Sequence, residues 1–439
     1  MPTPARRGPG TAPRRTWGAG ARHAALLAGV LVSRGGAPPP AAAEPLPDLT
    51  AVTASVGAAL DSVGALPGPA FVARGDSSSH GLDYLWVVRW SLTDSAKVER
   101  AVARAREIGV KGLLAQVVGR GDAYYRSDVL PRAEDLAGTE FDPLGFLIDR
   151  AHAAGLEVHA WVNCMLVWSQ PRRPRDPRHV VNAHPEWIAR LKNGRPMTSL
   201  SGRQLRRLGV EGVFLSPALP GVRAWLGSVV KEIASRYAVD GVQLDYIRLP
   251  GVELGGESGA AAADEATAPA RARRGPPPAR ARTPRTEAEC AHVAAVVGEV
   301  RDSLAGVRSG LPLTAAVIAD TVAAVRTNAQ RWTAWLREGL IDRAFTMCYA
   351  PPLRTVVAQL LTYAGFPGLD GRVVPGIAVY NTPPATAAAK IRAARSLGFA
   401  QLAIYSYDAL ALKPGYWSSL CSDLDGVAPA HGSAPGGPR

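Results

Sequence analysis

Cysteine is scarce: four in 439 residues, Cys164, Cys290, Cys348 and Cys421. They lie far apart and none forms a CxxC pair, so no zinc site is indicated and no disulfide pairing can be assigned. Cys164 and Cys348 fall in strand-like runs and read as buried free thiols. HExxH is missing, and His152, His159 and His184 lack ligand spacing. No GxGxxG or GxxxxGK loop precedes a helix, so no phosphate or dinucleotide cradle is offered. A GxSxG elbow is missing too. The sequence therefore points to no metal and no cofactor. After the N-terminal stretch, no apolar run reaches the roughly 18 residues that a spanning helix needs.

Acidic residues are also in deficit, which leaves a formal charge of +13. Such a charge suggests a nucleic-acid binder, but its distribution argues against one. Arg6, Arg7, Arg14, Arg15, Arg22 and Arg34 lie within residues 1–44, and Arg271, Arg273, Arg274, Arg280, Arg282 and Arg285 within 271–285. These arginines nearly equal the whole excess. Both segments are rich in Ala, Pro and Gly and read as unstructured, so the folded part is close to neutral.

Residues 1–44 resemble an export signal. Arginines come first, then AALLAGVLVS at 24–33, then AAA at 41–43 before Glu44. An exported protein is expected, in the periplasm, the cell envelope or outside the cell. Residues 45–80 read as a linker or N-terminal extension, 81–425 as a single barrel and 426–439 as a disordered tail. Nothing in the sequence sets an oligomeric state.

What is present is an alternation of short apolar runs and helical patterns. The runs are 84–90, 112–118, 157–163, 240–246, 311–319, 343–350, 372–380 and 400–407. Helical spacing occupies 95–108, 143–154, 222–237, 288–309, 328–338 and 386–397, with Gly109, Gly155 and Gly398 as C-terminal stops. Eight strands with helices between them predict a parallel (β/α)8 TIM barrel, with an open doubly wound sheet as the alternative. Two long loops follow the third and fourth strands, at 164–220 and 251–287. The second is low in complexity and is expected to be disordered.

The most informative run is DGVQLDYIRLP, residues 240–250. Val242 and Leu244 give it an apolar side. It then runs out into Asp245, Tyr246 and Arg248, before Pro250 stops further pairing. The other strand ends add Arg89, Trp90, Gln116, Asp122, Tyr124, Trp161, Asn163, Asp320, Tyr349, Tyr380, Tyr405 and Asp408. Aromatic rings stack on the apolar face of a sugar, and carboxylates bind hydroxyls or perform acid–base work. Glycoside hydrolysis generally uses two carboxyl groups, roughly 5–5.5 Å apart for retention and roughly 6.5–9.5 Å apart for inversion.

The chain resembles the bacterial glycosyl-hydrolase-like family 10 proteins, which include a peptidoglycan glycan hydrolase of the division site. The resemblance covers 84 to about 410. It is carried by VVRW (87–90), QVVGRGDAYYRSDVLP (116–131), FDPLGFLIDRAHAAGLEVHAWVN (141–163), HPEW (184–187), FLSPALPGVRAWL (214–226), YAVDGVQLDYIRLP (237–250), QRWTAWLREGLIDRAFTMCYA (330–350) and PGIAVYN (375–381). It implies a TIM barrel with glycosidase-like activity on a cell-envelope or other complex glycan. The chain departs from the family pattern after Pro250, and near 118–120, where QVVGRGD replaces an arginine–proline form.

Asp245 is the expected nucleophile, general base or transition-state stabiliser. A salt bridge to Arg248 is its structural alternative. Asp320 is the expected partner acid, with a helix cap as its alternative. Asp122 is the reserve, against a turn role after Gly121, and Asp408 ranks below it. Arg89, Trp90, Gln116, Tyr124, Trp161, Asn163, Tyr246, Arg248, Tyr349, Tyr380 and Tyr405 are the expected substrate contacts, with barrel filling as the competing role for the aromatics. Asp240 and Asp342 precede their strands and belong to the stability face. His159 is expected to be a core histidine, and Trp332 and Trp335 are expected to pack. Three functions fit these residues: an exported glycoside hydrolase, a catalytically silent glycan-binding protein, and a lyase-type barrel enzyme using Asp245 and Arg248 on an anionic substrate.

Overall fold

A computed structural model describes residues 81–255, 283–369 and 371–425. Residues 1–44, read as an export signal, the 45–80 extension, the tail and most of the second long loop lie outside the described residues. In chain order the first half runs β1 (Tyr84–Val87), α1 (Ser95–Ile108), β2 (Gly112–Val118), α2 (Pro143–Ala153), β3 (Glu157–Asn163), β4 (Leu166–Trp168), α3 (Val180–Ala183), α4 (Gly202–Arg207), β5 (Val213–Phe214) and α5 (Pro220–Arg236). The second half runs β6 (Gly241–Asp245), α6 (Glu287–Ala305), β7 (Leu313–Ile318), α7 (Thr321–Asn328), α8 (Trp332–Arg337), β8 (Arg343–Cys348), α9 (Leu353–Ala364), β9 (Val373–Ala378), α10 (Pro384–Ser396), β10 (Ala403–Tyr405), α11 (Tyr407–Ala411) and α12 (Tyr416–Asp425). Among the described residues no helix is long and apolar enough to cross a membrane.

β1, β2, β3, β6, β7, β8, β9 and β10 form a closed parallel barrel, with β10 paired back to β1 through Tyr84–Ala403 and Leu85–Ile404. Closure rules out the open sheet. The period-two rule sorts each strand into two sides. Leu85 and Val87 face the helices, while Tyr84, Trp86 and Val88 fill the interior with Leu114, Trp161, Phe345, Val374 and Ala403. The Trp86 indole donates to Gln243 Oε1 at 2.7 Å, and its ring meets Phe345 edge-on at 5.8 Å. Gly376 makes room for it, because a β-carbon there would lie 2.8 Å from the Trp86 ring. The barrel is thus plugged at the Trp86 level.

Three aspartates clasp the N-terminal end. Each precedes one strand and accepts from the first amides of its neighbour. Asp83 takes the Leu402 amide at 3.0 Å, Asp240 takes Val158 at 2.7 Å, and Asp342 takes Leu313 at 2.7 Å. Arg395, His152 and Arg301, respectively, lie against them. His159 sits inside this end, bonded to Glu157 at 3.1 Å. Trp332 and Trp335 are fully packed in the outer core.

The structure departs from the sequence reading in several places. β1 stops at Val87, and Arg89–Leu92 form a 3-10 turn, because Asp408 takes the Val88 amide and the Ser91 hydroxyl. β10 is only three residues long, since Ser406 caps α11. The helix read from 328 to 338 starts only at Trp332, and a separate helix, Thr321–Asn328, precedes it and closes at Ala329, whose φ is +56°. Between the two helices, Gln330 leaves the helix pattern and accepts from the Ile318 amide at 2.8 Å. α9 was not anticipated. The loop at 164–220 carries an antiparallel ribbon, Leu166–Phe214 and Trp168–Val213, and two short helices. The described ends of the second loop are ordered. Arg285, placed by composition in an unstructured segment, is almost buried, pairs with Glu289, and donates to the carbonyls of Pro250 and Val252.

Replacing Asp342 with Ala removes the acceptor for Leu313 and the partner of Arg301. We expect a loss of roughly 1–3 kcal/mol in urea unfolding, with activity per folded molecule unchanged.

Candidate functional site

Asp245 is the last residue of β6 and lies in register with Asn163 of β3. Trp161, two residues before Asn163, shares its face and is bonded to both side chains. Its indole donates to Asp245 Oδ2 at 3.1 Å and to Asn163 Oδ1 at 3.0 Å. Asn163 Nδ2 donates to the Gly119 carbonyl at 2.8 Å, and Gln116 Nε2 donates to Asn163 Oδ1 at 3.3 Å. Arg89 Nη1 donates to Gln116 Oε1 at 2.9 Å. One polar chain therefore links the turn after β1 to β2, β3 and β6. A bulge in β2 between Gln116 and Val118 re-aims this strand end.

Asp245 Oδ1 accepts from the Tyr246 amide at 2.6 Å. Tyr246 adopts φ +49°, in the left-handed region. That conformation costs a non-glycine residue about 1 kcal/mol or more and marks sites whose geometry matters. Both carboxylate oxygens thus meet an N–H. Burial nevertheless dominates and pushes the Asp245 carboxyl up to about 6. The Tyr246 amide, Arg248 and Trp161 pull it down, and Glu211 adds to the rise.

An aromatic wall stands beside it. Tyr349 and Tyr405 stack at 5.0 Å, and Tyr380 meets them edge-on at 6.3 and 6.0 Å. Trp86 lies beneath Tyr405 at 5.9 Å, and Trp161 lies 6.4 Å from it. Burial raises all three phenols, so they stay neutral donors.

The remaining candidates sort themselves by partner. Arg248 is not the salt-bridge partner of Asp245. It pairs with Glu211 at 3.0 Å, and its guanidinium lies over the Tyr246 ring at 4.7 Å. Glu211, just before β5, was missed in the sequence. The usable signal was a strand-end arginine due for burial, which demands an acid. Asp320 is an exposed helix cap, accepting from the Ala323 amide at 2.9 Å, and nothing among the described residues joins it to Asp245. Asp122 is buried against Arg120, with side chains 3.3 Å apart. Tyr124 gives its hydroxyl to Asp135 and packs on Ala133 and Leu136, away from the aromatic wall. Trp90 is half-buried beneath the Arg89 guanidinium. Asp408 is pushed up to about 6 by burial, but its oxygens hold Val88 and Ser91. It positions the turn that carries Arg89 and Trp90.

Among the described residues no group of three His, Cys, Asp or Glu side chains could hold a metal. A depression of about 370 Å³ bordered by Pro312, Asp342, Arg343 and Arg372 opens at the N-terminal end of the strands. Arg372 there donates to the carbonyls of Ile341 and Asp342, a structural role. Asp245 and the aromatic wall lie at the opposite end.

The chain is 28% identical over 219 residues to Glycosyl hydrolase DigH of Escherichia coli K12, which covers 42% of this chain and 46% of that protein. It is 26% identical over 147 residues to Glycosyl hydrolase YngK of Bacillus subtilis 168, covering 32% and 25%. The match thus spans less than half the length of either relative. Among solved structures, Alpha-L-fucosidase isoenzyme 2 from Paenibacillus thiaminolyticus superposes with a TM-score of 0.47 at 11% identity, over 79% of this chain and 49% of that one. Residues 82–364 match the family described as Glycosyl hydrolase-like 10, and the chain belongs to that family.

Proposed function

We propose that this protein is an exported glycoside hydrolase acting on a cell-envelope or other complex glycan, with Asp245 as its reacting carboxylate. One observation carries the reading: a carboxylate buried at a barrel strand end, held by Trp161 and Tyr246 and faced by stacked tyrosines. The rings would accept the apolar face of a sugar. As the glycosidic bond breaks, positive charge grows on the ring, and a nearby carboxylate ion stabilises or captures it. We assign Glu211 as the second acid in place of Asp320, because its 3.0 Å ion pair with Arg248 holds it by the segment that leaves Asp245, whereas Asp320 caps an outer helix. A binding-only reading has one observation in its favour, the ion pair that ties Glu211 to Arg248.

The test is release of reducing ends from peptidoglycan, intact and stripped of its peptides, by the purified full-length chain. Wild type should cleave, and Asp245→Asn should lose about 10²–10⁴-fold, as for a positioned catalytic carboxyl group. Because the ion is required, kcat/KM should fall as pH drops through about 6. Glycan binding by both proteins with cleavage by neither would leave the binding-only reading.

The same variant has a stability signature. Asp245 holds its proton more tightly folded than unfolded, so wild type loses stability as pH rises from about 4 to about 6. A shift of this size corresponds to about 3 kcal/mol. Asparagine has no proton to lose. The melting temperature of Asp245→Asn should therefore gain on wild type across that interval and hold its gain above it. A difference that stays flat with pH would contradict the burial of the ion.

A further inference from the structure

Among the described residues three buried arginines, Arg89, Arg120 and Arg248, follow barrel strands, and two have counter-ions. Arg120 lies 3.3 Å from Asp122 and 3.6 Å from Asp135, and Arg248 lies 3.0 Å from Glu211. Arg89 differs. It is only 9% exposed, yet no carboxylate among the described residues lies within ion-pair distance of it. Its Nη1 and its backbone amide both donate to the neutral oxygen of Gln116, at 2.9 and 3.4 Å. Its Nε is sealed without a partner, and Nη2 makes no hydrogen bond among the described residues. Burying an unpaired cation is costly.

The chain nevertheless builds a seat for it. A β-carbon at Gly119 would lie 2.4 Å from Arg89 Cδ, so glycine is what lets the side chain lie there. The Trp90 ring supports the guanidinium at 5.2 Å. Asp408, the acid whose hydrogen bonds hold this turn, is engaged by the Val88 amide and the Ser91 hydroxyl. A continuous hydrogen-bonded chain, from Arg89 through Gln116, Asn163 and Trp161, joins the guanidinium to Asp245 at the same end of the barrel.

We propose that Arg89 forms an anion subsite in this cleft and receives the carboxylate of an acidic sugar. The inference rests on the glycan-cleft reading above. A carboxylate supplies the missing counter-ion through charge-assisted hydrogen bonds, which a neutral sugar hydroxyl cannot do. The subsite would favour glycans that carry a carboxylate on the sugar bound beside Asp245.

Binding of matched sugars to the full-length chain, measured by ligand-observed NMR, tests this. The pairs are glucuronic acid with glucose, and N-acetylmuramic acid with N-acetylglucosamine. At least one acid should bind about tenfold more tightly than its neutral counterpart, the size of one charged contact. Arg89→Gln should abolish that preference, and Arg89→Lys should keep part of it. The proposal fails if wild type prefers neither acid, or if the preference survives in Arg89→Gln. The wild-type comparison stands even if a variant folds poorly. Binding is read without turnover, so a failure of cleavage would count against hydrolysis and not against the subsite.

Discussion

The site depends on a carboxylate kept out of water. Asp245 closes β6 with each oxygen facing one N–H, from Trp161 and from Tyr246. Two such bonds and the Arg248 charge do not offset the loss of solvent, and the carboxyl rises to about 6. Such a group changes its charge near working pH, which suits acid–base or ion-stabilising work. The surroundings serve that state. Trp86 and Gln243 plug the barrel below, and Tyr349, Tyr380 and Tyr405 wall it to one side. Glu211 takes up most of Arg248's attention, so that the guanidinium does not simply neutralise Asp245.

The same strand carries a second aspartate with the opposite fate. Asp240, five positions earlier, is half-exposed and binds the Val158 amide and His152. It shares this work with Asp83 and Asp342, which tie neighbouring strands at the same end of the barrel. The chemical type is identical in all four residues. What separates them is their partners. Asp83, Asp240 and Asp342 each hold an amide at a strand start and a basic side chain. Asp245, as buried as Asp83, meets an indole and a left-handed amide, with no basic side chain within ion-pair distance among the described residues.

Much of this was legible in the sequence, because barrel strands are continuous apolar runs punctuated by glycine-stopped helices. The eight runs, the placement of Asp245, Trp161, Asn163 and the tyrosines at one end, and the dismissal of Asp240 and Asp342 all follow from local periodicity. What failed was non-local. β1 ends early because Asp408, far along the chain, captures Val88 and Ser91. Glu211 meets Arg248 through a ribbon whose second strand is two residues long, too short to leave a pattern. Asp320 sits at a strand end and before a helix at once, and the helix amides take it. Arg285 was hidden by the composition of its neighbours, although its own side chain is anchored.

If burial of Asp245 organises this site, its carboxyl group should report that burial directly. A carbon-13 NMR titration of the carboxyl resonances, with Asp245 assigned by its loss in the Asp245→Asn protein, reads its protonation in place. The account predicts a midpoint near 6. A midpoint at the ordinary aspartate value of 3.8 would show a solvated carboxylate and contradict the account.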